Sequence, residues 1–302
     1  MKDKLLTKIN NLKEKKKAVI LAHNYQEDEI QDLADYTGDS LGLSRKAADS
    51  TAEVIVFCGV EFMAESAAIL SPDKTVLLPE RNAGCPMAEM MSIEDLRELK
   101  KEYPEATVVC YVNSSAAVKA ESDVCCTSSN AVNIVEKLAS QQIIFVPDRN
   151  LGHYVAQKTD KEIICDVGYC PTHCRVNPVD IEQVREIHPT AEVVVHPECD
   201  PAVVEAADFV GSTAQIIDYA QETTAKKIVV GTEMGILHKL QQDNPNKAFY
   251  ILNQGLICQN MKLTTVNDIV EALENMEYQI TVPQEIRSKA QSALNKMLEL
   301  SN

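Results

Sequence analysis

The sequence predicts an α/β protein made of three homologous three-layer αβα domains, with parallel sheets set around a pseudo-threefold axis. Three observations lead there. Short apolar, β-branched runs alternate with amphipathic stretches along the chain, as strands and helices do in a parallel-sheet architecture. Polar residues just past these runs recur at fixed offsets. His23, Tyr111 and His196 are separated by 88 and 85 residues, and Ser40, Ser128 and Thr213 by the same two intervals. Cys85, Cys170 and Cys258 show the intervals reversed, 85 then 88. One three-residue shortening of the middle repeat, between Pro147 and Cys170, accounts for every offset, and a sustained period of this kind marks an internal repeat.

In the first repeat, Met1 to Lys17 reads as a Lys-rich helix whose closing Lys15-Lys16-Lys17 favours the helix dipole. Ala18 to Ala22 is a strand ending at His23-Asn24-Tyr25. Glu27 to Asp35 is helical, and Thr37-Gly38-Asp39-Ser40 opens another helix. Glu53 to Phe57 is a second strand, followed by a helix around Met63 to Leu70. Thr75 to Leu78 is a third strand and leads into the Cys85 loop. Ser92 then caps Ile93 to Lys101, with Glu94 and Asp95 in the first turn.

The second repeat has strands at Thr107 to Cys110 and Ile143 to Val146, a helix opened by Thr127-Ser128-Ser129-Asn130, and the Cys170 loop. Asn177-Pro178 starts its closing helix. The third has Val193 to Val195, a helix opened by Gly211-Ser212-Thr213, Ile228 to Val230, the Cys258 loop and a helix from Thr265. The expected divisions are 1–105, 106–190 and 191–278, with a C-terminal segment 279–302. Ile280-Thr281-Val282 takes the place of a fourth first strand. It, or the helix Gln284 to Leu300, is expected to pack back on the first repeat and close the ring.

Composition bounds the function. The chain has 302 residues, 45% of them apolar, and no Trp, as in a globular protein able to bury a large core. A formal charge of -16 without a basic patch argues against nucleic acid. No apolar run approaches the ~20 residues of a membrane span, and the N-terminus lacks a signal core, so a cytoplasmic location is expected. Ten cysteines there are not disulfides. Metal binding, redox chemistry or plain burial remain for them.

Ligands of open α/β sheets bind outside the carboxyl ends of the strands, where His23 and Tyr25, Tyr111 and Asn113, and His196 and Glu198 fall. Ser40, Ser128 and Thr213 fall at helix N-termini, where free N–H groups accept phosphate or carboxylate. One such residue would be an ordinary N-cap, but three in one repeat column beside titratable groups point to a site. The cysteine column is the stronger sign, since none of the other seven cysteines shares its column with another. Three converging thiolates without a fourth indicate a metal or cluster with one open position: zinc, or a 4Fe–4S cluster with a free fourth iron. A local zinc site of Cys170, His173 and Cys174 has poor spacing and no partner pair. An open metal position acts as a Lewis acid in loss of water. Beside it Glu198 serves as a base, Tyr25 or Tyr111 as a proton donor, and His23 and His196 bind anions or relay protons. His153, His188 and His238 are read as structural or surface residues, and Cys125-Cys126 as packing.

With these residues in place, the sequence resembles the quinolinate synthase family. The resemblance is carried by Leu21-Ala22-His23-Asn24-Tyr25-Gln26, Gly38-Asp39-Ser40-Leu41, Tyr111-Val112-Asn113, Thr127-Ser128-Ser129-Asn130, Gly168-Tyr169-Cys170-Pro171-Thr172-His173, His196-Pro197-Glu198-Cys199 and Cys258-Gln259-Asn260-Met261, in order over almost the whole chain. Cys165-Asp166-Val167 departs from it by lacking the Trp of many relatives. The resemblance implies three α/β domains in a triangle and one central 4Fe–4S cluster held by Cys85, Cys170 and Cys258. It implies a transferase that condenses iminoaspartate with dihydroxyacetone phosphate to quinolinate in de novo NAD biosynthesis, functionally coupled to an L-aspartate oxidase or dehydrogenase. His23, Ser40, Tyr111, Val112, Asn113, Ser128, His196, Pro197, Glu198, Ser212 and Thr213 would hold substrate, and Tyr25, Tyr111, His196 and Glu198 would be catalytic. The alternatives are a diphthamide-type 4Fe–4S enzyme using S-adenosylmethionine and an iron–sulfur electron carrier or sensor. His196-Pro197-Glu198 and Tyr111-Val112-Asn113 disfavour the first, and the open coordination position disfavours the second.

Overall fold

The structure, a computed structural model, describes residues 2–301. Helix alternates with strand in the same order three times. The first unit runs α1 (Lys2–Lys16), β1 (Ala18–His23), α2 (Asp28–Leu33), β2 (Tyr36–Gly38), α3 (Ser40–Asp49), β3 (Val54–Cys58), α4 (Glu61–Leu70) and β4 (Thr75–Leu77). The second runs α5 (Ile93–Glu102), β5 (Thr107–Tyr111), α6 (Ala116–Ala120), β6 (Val124–Cys126), α7 (Ala131–Lys137), β7 (Gln142–Val146), α8 (Arg149–Lys158) and β8 (Glu162–Cys165). The third runs α9 (Pro178–Ile187), β9 (Glu192–Val195), α10 (Pro201–Ala206), β10 (Phe209–Val210), α11 (Thr213–Glu222), β11 (Lys227–Gly231), α12 (Ile236–Asp243) and β12 (Ala248–Ile251). After them come α13 (Val266–Asn275) and α14 (Gln284–Leu300). Among the described residues no helix is long and apolar enough to cross a membrane.

Each sheet is parallel and has the same order: β2-β1-β3-β4, β6-β5-β7-β8 and β10-β9-β11-β12. The central strands are continuous apolar runs because helices cover both faces; β3 is buried along its whole length. The first and third strands lie side by side while the second turns outward, so a crevice opens at their carboxyl ends. That crevice is where the repeated polar residues sit. The sequence reading names three strands in the first repeat and two in each of the others. The second strands, β2, β6 and β10, escape it because they are only two or three residues long. The edge strands β8 and β12 are only partly buried and show no continuous core pattern.

Ser92 and Thr265 cap α5 and α13 with their side chains, and Asn177 forms a capping box at α9. The helix after each cysteine loop then packs on the next unit. α5 packs against α6, and its Arg97 and Lys100 reach Glu121. Ile181 of α9 joins the core with Val193, Val195 and Val229. Ile269 of α13 joins Ile20, Val54 and Val56 of the first sheet, beside Ile9 of α1. Leu96, Ile181 and Ile269 share one repeat column and all are buried, so α13 closes the ring. The following segment pairs antiparallel with the edge of the first sheet, where the Leu78 N–H donates to the Tyr278 carbonyl at 2.9 Å and the Ile280 N–H to the Val76 carbonyl at 2.9 Å. α14 lies between α4 of the first unit and α6, α7 and β6 of the second, burying Ala290, Ala293, Leu294 and Met297.

Candidate active site

The crevices of the three units meet in one cavity with about 670 Å³ of free space, part of it open to solvent. It is lined by His23, Tyr25 and Ser40 of the first unit, Tyr111, Asn113 and Ser128 of the second, and His196, Glu198 and Thr213 of the third. Cys85, Cys170 and Cys258 line it as well. Val112, Pro197 and Ser212 do not. The Val112 N–H donates to the Cys126 carbonyl at 2.9 Å, and Ser212 is the N-cap of α11. His153 and His238 bond to surface partners, and His188 stacks on Tyr250.

The helix caps fall one or two residues away from the hydroxyls that the repeat column picks out. Asp39 rather than Ser40 caps α3, Ser212 rather than Thr213 caps α11, and Asn130 rather than Ser128 precedes α7. The N-cap alternative for Ser40, Ser128 and Thr213 is thereby corrected. Asp39 and Ser212 satisfy the ends of α3 and α11 with their side chains, Asn130 makes no side-chain cap at α7, and the three hydroxyls are left for the cavity.

His23 and His196 are built alike. His23 ends β1 and His196 directly follows β9, and the Nδ1 of each accepts the N–H two residues on, from Tyr25 at 3.1 Å and from Glu198 at 3.2 Å. That bond places the ring proton on Nε2. Burial lowers both rings to about 3; the charge on His196 adds to the effect at His23, and Glu198 opposes it at both. At neutral pH each is an uncharged N–H donor. Ser128 Oγ lies 3.1 Å from His196 Nε2. Asn113 Oδ1 is buried without a hydrogen-bond partner.

A hydrogen-bonded path crosses the cavity through all three units. Thr213 Oγ1 donates to Tyr25 Oη at 2.8 Å, and Tyr25 Oη lies 2.6 Å from Thr232 Oγ1. Thr232 Oγ1 lies 2.8 Å from His173 Nε2, and His173 Nδ1 lies 2.7 Å from Glu198 Oε2. Tyr111 Oη donates to Glu198 Oε1. One direction of donation satisfies every member: Thr213 to Tyr25 to Thr232 to His173 to Glu198, with Tyr111 donating from the other side. Burial opposes charge on Glu198, but the neighbouring His196 and His173, together with the bonds from His173 and Tyr111, hold its carboxyl below the usual range. Burial, with the Glu198 charge, pushes the Tyr25 and Tyr111 phenols up, so both keep their protons.

The three thiols are raised by burial, Cys85 to about 12. Thiols held protonated in a shared cavity become thiolates when a cation replaces their protons. One thiol from each unit, on three equivalent loops, lines the cavity. Cys170, His173 and Glu198 also bring ligand atoms within 4.8 Å of one another, but His173 and Glu198 already satisfy each other. Cys174 is half-buried against Asn150 and does not line the cavity.

His173 and Thr232 stand in the hydrogen-bonded path, and residue patterns miss both. His173 stands inside the quoted Gly168–His173 segment but belongs to no recurring column. Thr232 aligns with Pro147 and Gly59, so periodicity carries no sign of it.

Comparison with known proteins follows the same line. A family model described as NadA, quinolinate synthetase A protein, matches residues 7–299. The quinolinate synthase of Alkaliphilus metalliredigens is 55% identical over 297 residues, 98% of each chain. That of Clostridium kluyveri is 54% identical over 297 residues, again 98% of each, and that of Dehalococcoides mccartyi 55% over 294 residues, 97% of each. With the family model spanning residues 7–299 and these relatives 54–55% identical over 97–98% of the chain, the chain belongs to the quinolinate synthetase A family.

Proposed function

We propose that the chain is a transferase that condenses iminoaspartate with dihydroxyacetone phosphate to quinolinate, phosphate and water, in the de novo route to NAD. The observation that carries this reading is the path from Thr213 to Tyr111 across a cavity lined by three cysteines. It puts a chain of proton donors beside neutral groups suited to anionic substrates. The Nε2–H groups of His23 and His196 would bind substrate carboxylates, and the hydroxyls of Ser40, Ser128 and Thr213 the carboxylates and phosphate. Asn113 Oδ1 would take an N–H or O–H of the substrate.

Forming the pyridine ring needs protons moved during isomerisation, imine closure and dehydration. Tyr25 would donate from Oη and be resupplied by Thr213 or Thr232. Glu198 would receive protons once substrate displaces the bond from Tyr111 or His173, since losing a donor raises its basicity. The walls of Val60, Phe62, Met63, Met87 and Met261 would keep water from the intermediates. Cys85, Cys170 and Cys258 fit a 4Fe–4S cluster with one open iron, which when bound supplies a Lewis acid for the substrate oxygen. The reaction is assigned to the cytoplasm, with an L-aspartate oxidase or dehydrogenase supplying iminoaspartate.

Anaerobic purification tests the proposal. A brown protein with about four irons and four sulfides per chain, forming quinolinate from the two substrates, is expected. A colourless, zinc-loaded and inactive protein would overturn it.

A further inference from the structure

Two carboxylates that the proposed chemistry does not use share a repeat column. Asp148 and Glu233 each stand two residues past the third strand of their unit, 85 residues apart, and Val60 occupies the same place in the first unit. The strand register fixes this equivalence, since Val146 pairs with Cys110 as Gly231 pairs with Val195. Both carboxylates are fully buried. Each caps the turn that follows: Asp148 Oδ1 accepts the Leu151 N–H at 2.7 Å, and Glu233 Oε2 the Gly235 N–H at 2.7 Å.

Capping alone does not account for Glu233. Its other oxygen, Oε1, accepts the peptide N–H of Cys258 at 3.2 Å. Lys262, four residues beyond Cys258, brings Nζ to 3.3 Å from Oε1 and donates to the Tyr25 carbonyl of the first unit at 2.6 Å. There is no slack in this seam, because a Cβ on Gly235 would lie 2.8 Å from Lys262 Nζ and from the Tyr25 backbone. Behind Cys170, Asp148 makes only its cap, and its Oδ2 is buried without a hydrogen-bond partner among the described residues. Behind Cys85 the equivalent side chain, Val60, can accept nothing.

The geometry points to Glu233 as a positioning residue that clamps the Cys258 loop to the first unit, a contact that neither Asp148 nor Val60 reproduces at its own loop. The three thiols are therefore not equivalent despite the repeat. The Cys258 peptide donates to a buried carboxylate, whereas the Cys85 loop is held by the Glu61 N–H on the Ala83 carbonyl and by Asn260 Nδ2 on the Gly84 carbonyl, both at 2.8 Å. As far as it concerns a bound cluster, the inference rests on the cysteine assignment proposed above.

Hydrogen exchange on the metal-free full chain tests the clamp without depending on the cluster. Glu233→Met keeps the side-chain volume and removes the acceptor. It is expected to speed exchange in the peptide containing Cys258 by roughly tenfold or more, with Glu233→Gln in between and the Cys85 peptide unchanged. In the iron-loaded enzyme, loss of iron to a chelator should be faster by about 10- to 100-fold. Unchanged exchange at Cys258 overturns the assignment. Equal acceleration at Cys258 and Cys85 also overturns it, since that is general loss of stability. If anaerobically purified wild type carries no iron and sulfide, the cluster reading fails, and the exchange pattern still decides the clamp.

Discussion

Thr232→Val isolates the middle of the hydrogen-bonded path. The substitution keeps the shape of the side chain and removes only the hydroxyl that joins Tyr25 Oη, at 2.6 Å, to His173 Nε2, at 2.8 Å. Thr232 is fully buried, so water does not replace the lost group. Tyr25 keeps its bond from Thr213 but its O–H loses its acceptor, and His173 Nε2 loses its donor. Each buried polar group left unsatisfied costs about 1–3 kcal/mol, which urea unfolding of the metal-free protein would read as a lower midpoint with unchanged slope. The loss of turnover should be larger than that stability change suggests. Interrupting proton transfer at one positioned group typically costs about 10²–10⁴ in rate. Quinolinate formation from iminoaspartate and dihydroxyacetone phosphate should therefore fall at least about a hundredfold in kcat, with KM for both substrates nearly unchanged. Thr232→Ser, which restores a hydroxyl, should recover most of it. A Val variant whose kcat stays within a few-fold of wild type refutes a proton path through Thr232.

Further outcomes follow from the same geometry. Because burial holds His23 and His196 near 3 against an ordinary 6.5, the unfolded chain takes up protons below pH 6.5 that the native state refuses. Stability of the metal-free protein should therefore fall as pH drops from 6.5 towards 3, by up to about 2.7 kcal/mol per pH unit for two sites; equal urea midpoints at pH 7 and pH 5 would contradict this. Cys85→Ser, Cys170→Ser and Cys258→Ser should each fail to retain four irons, whereas Cys174→Ser should keep colour and turnover, as metal analysis would show. Ser212→Ala should cost about 0.5–2 kcal/mol through loss of the α11 cap and leave KM alone. Thr213→Val should instead lower turnover, so that adjacent residues separate stability from chemistry. Tyr25→Phe should abolish turnover with cluster absorbance intact, and normal turnover would remove Tyr25 from the mechanism.

Most of the cavity was legible because a threefold repeat writes the same site three times. His23, Tyr111 and His196 announce one another by offset, as do the three cysteines, and no single member of either set stands out alone. What the repeat cannot reveal is whatever breaks it. Thr232 has Gly59 and Pro147 as its repeat mates, and His173 has Ala88 and Met261. The helix caps were displaced for a related reason. Asp39 and Ser40, or Ser212 and Thr213, are adjacent residues of similar capping power, and only backbone geometry decides which one caps. The short second strands lie beyond pattern reading altogether, since two or three residues carry no periodicity.

The position of α13 has a consequence for how the chain is made. The first sheet is complete once β4 has been synthesised, yet the helix that supplies Ile269 to its core begins at Val266. At about 5–20 residues per second, the ribosome takes on the order of 10–40 s to cover that interval. Throughout it, Ile20, Val54 and Val56 have α1 over them but lack half of their cover. The third sheet faces no such delay, because α9 emerges ahead of the strands it covers; the second has α5 early but waits for α14 beside β6. The nascent chain is thus most exposed to misassociation through its oldest part, and the last helices to appear let the first ones settle.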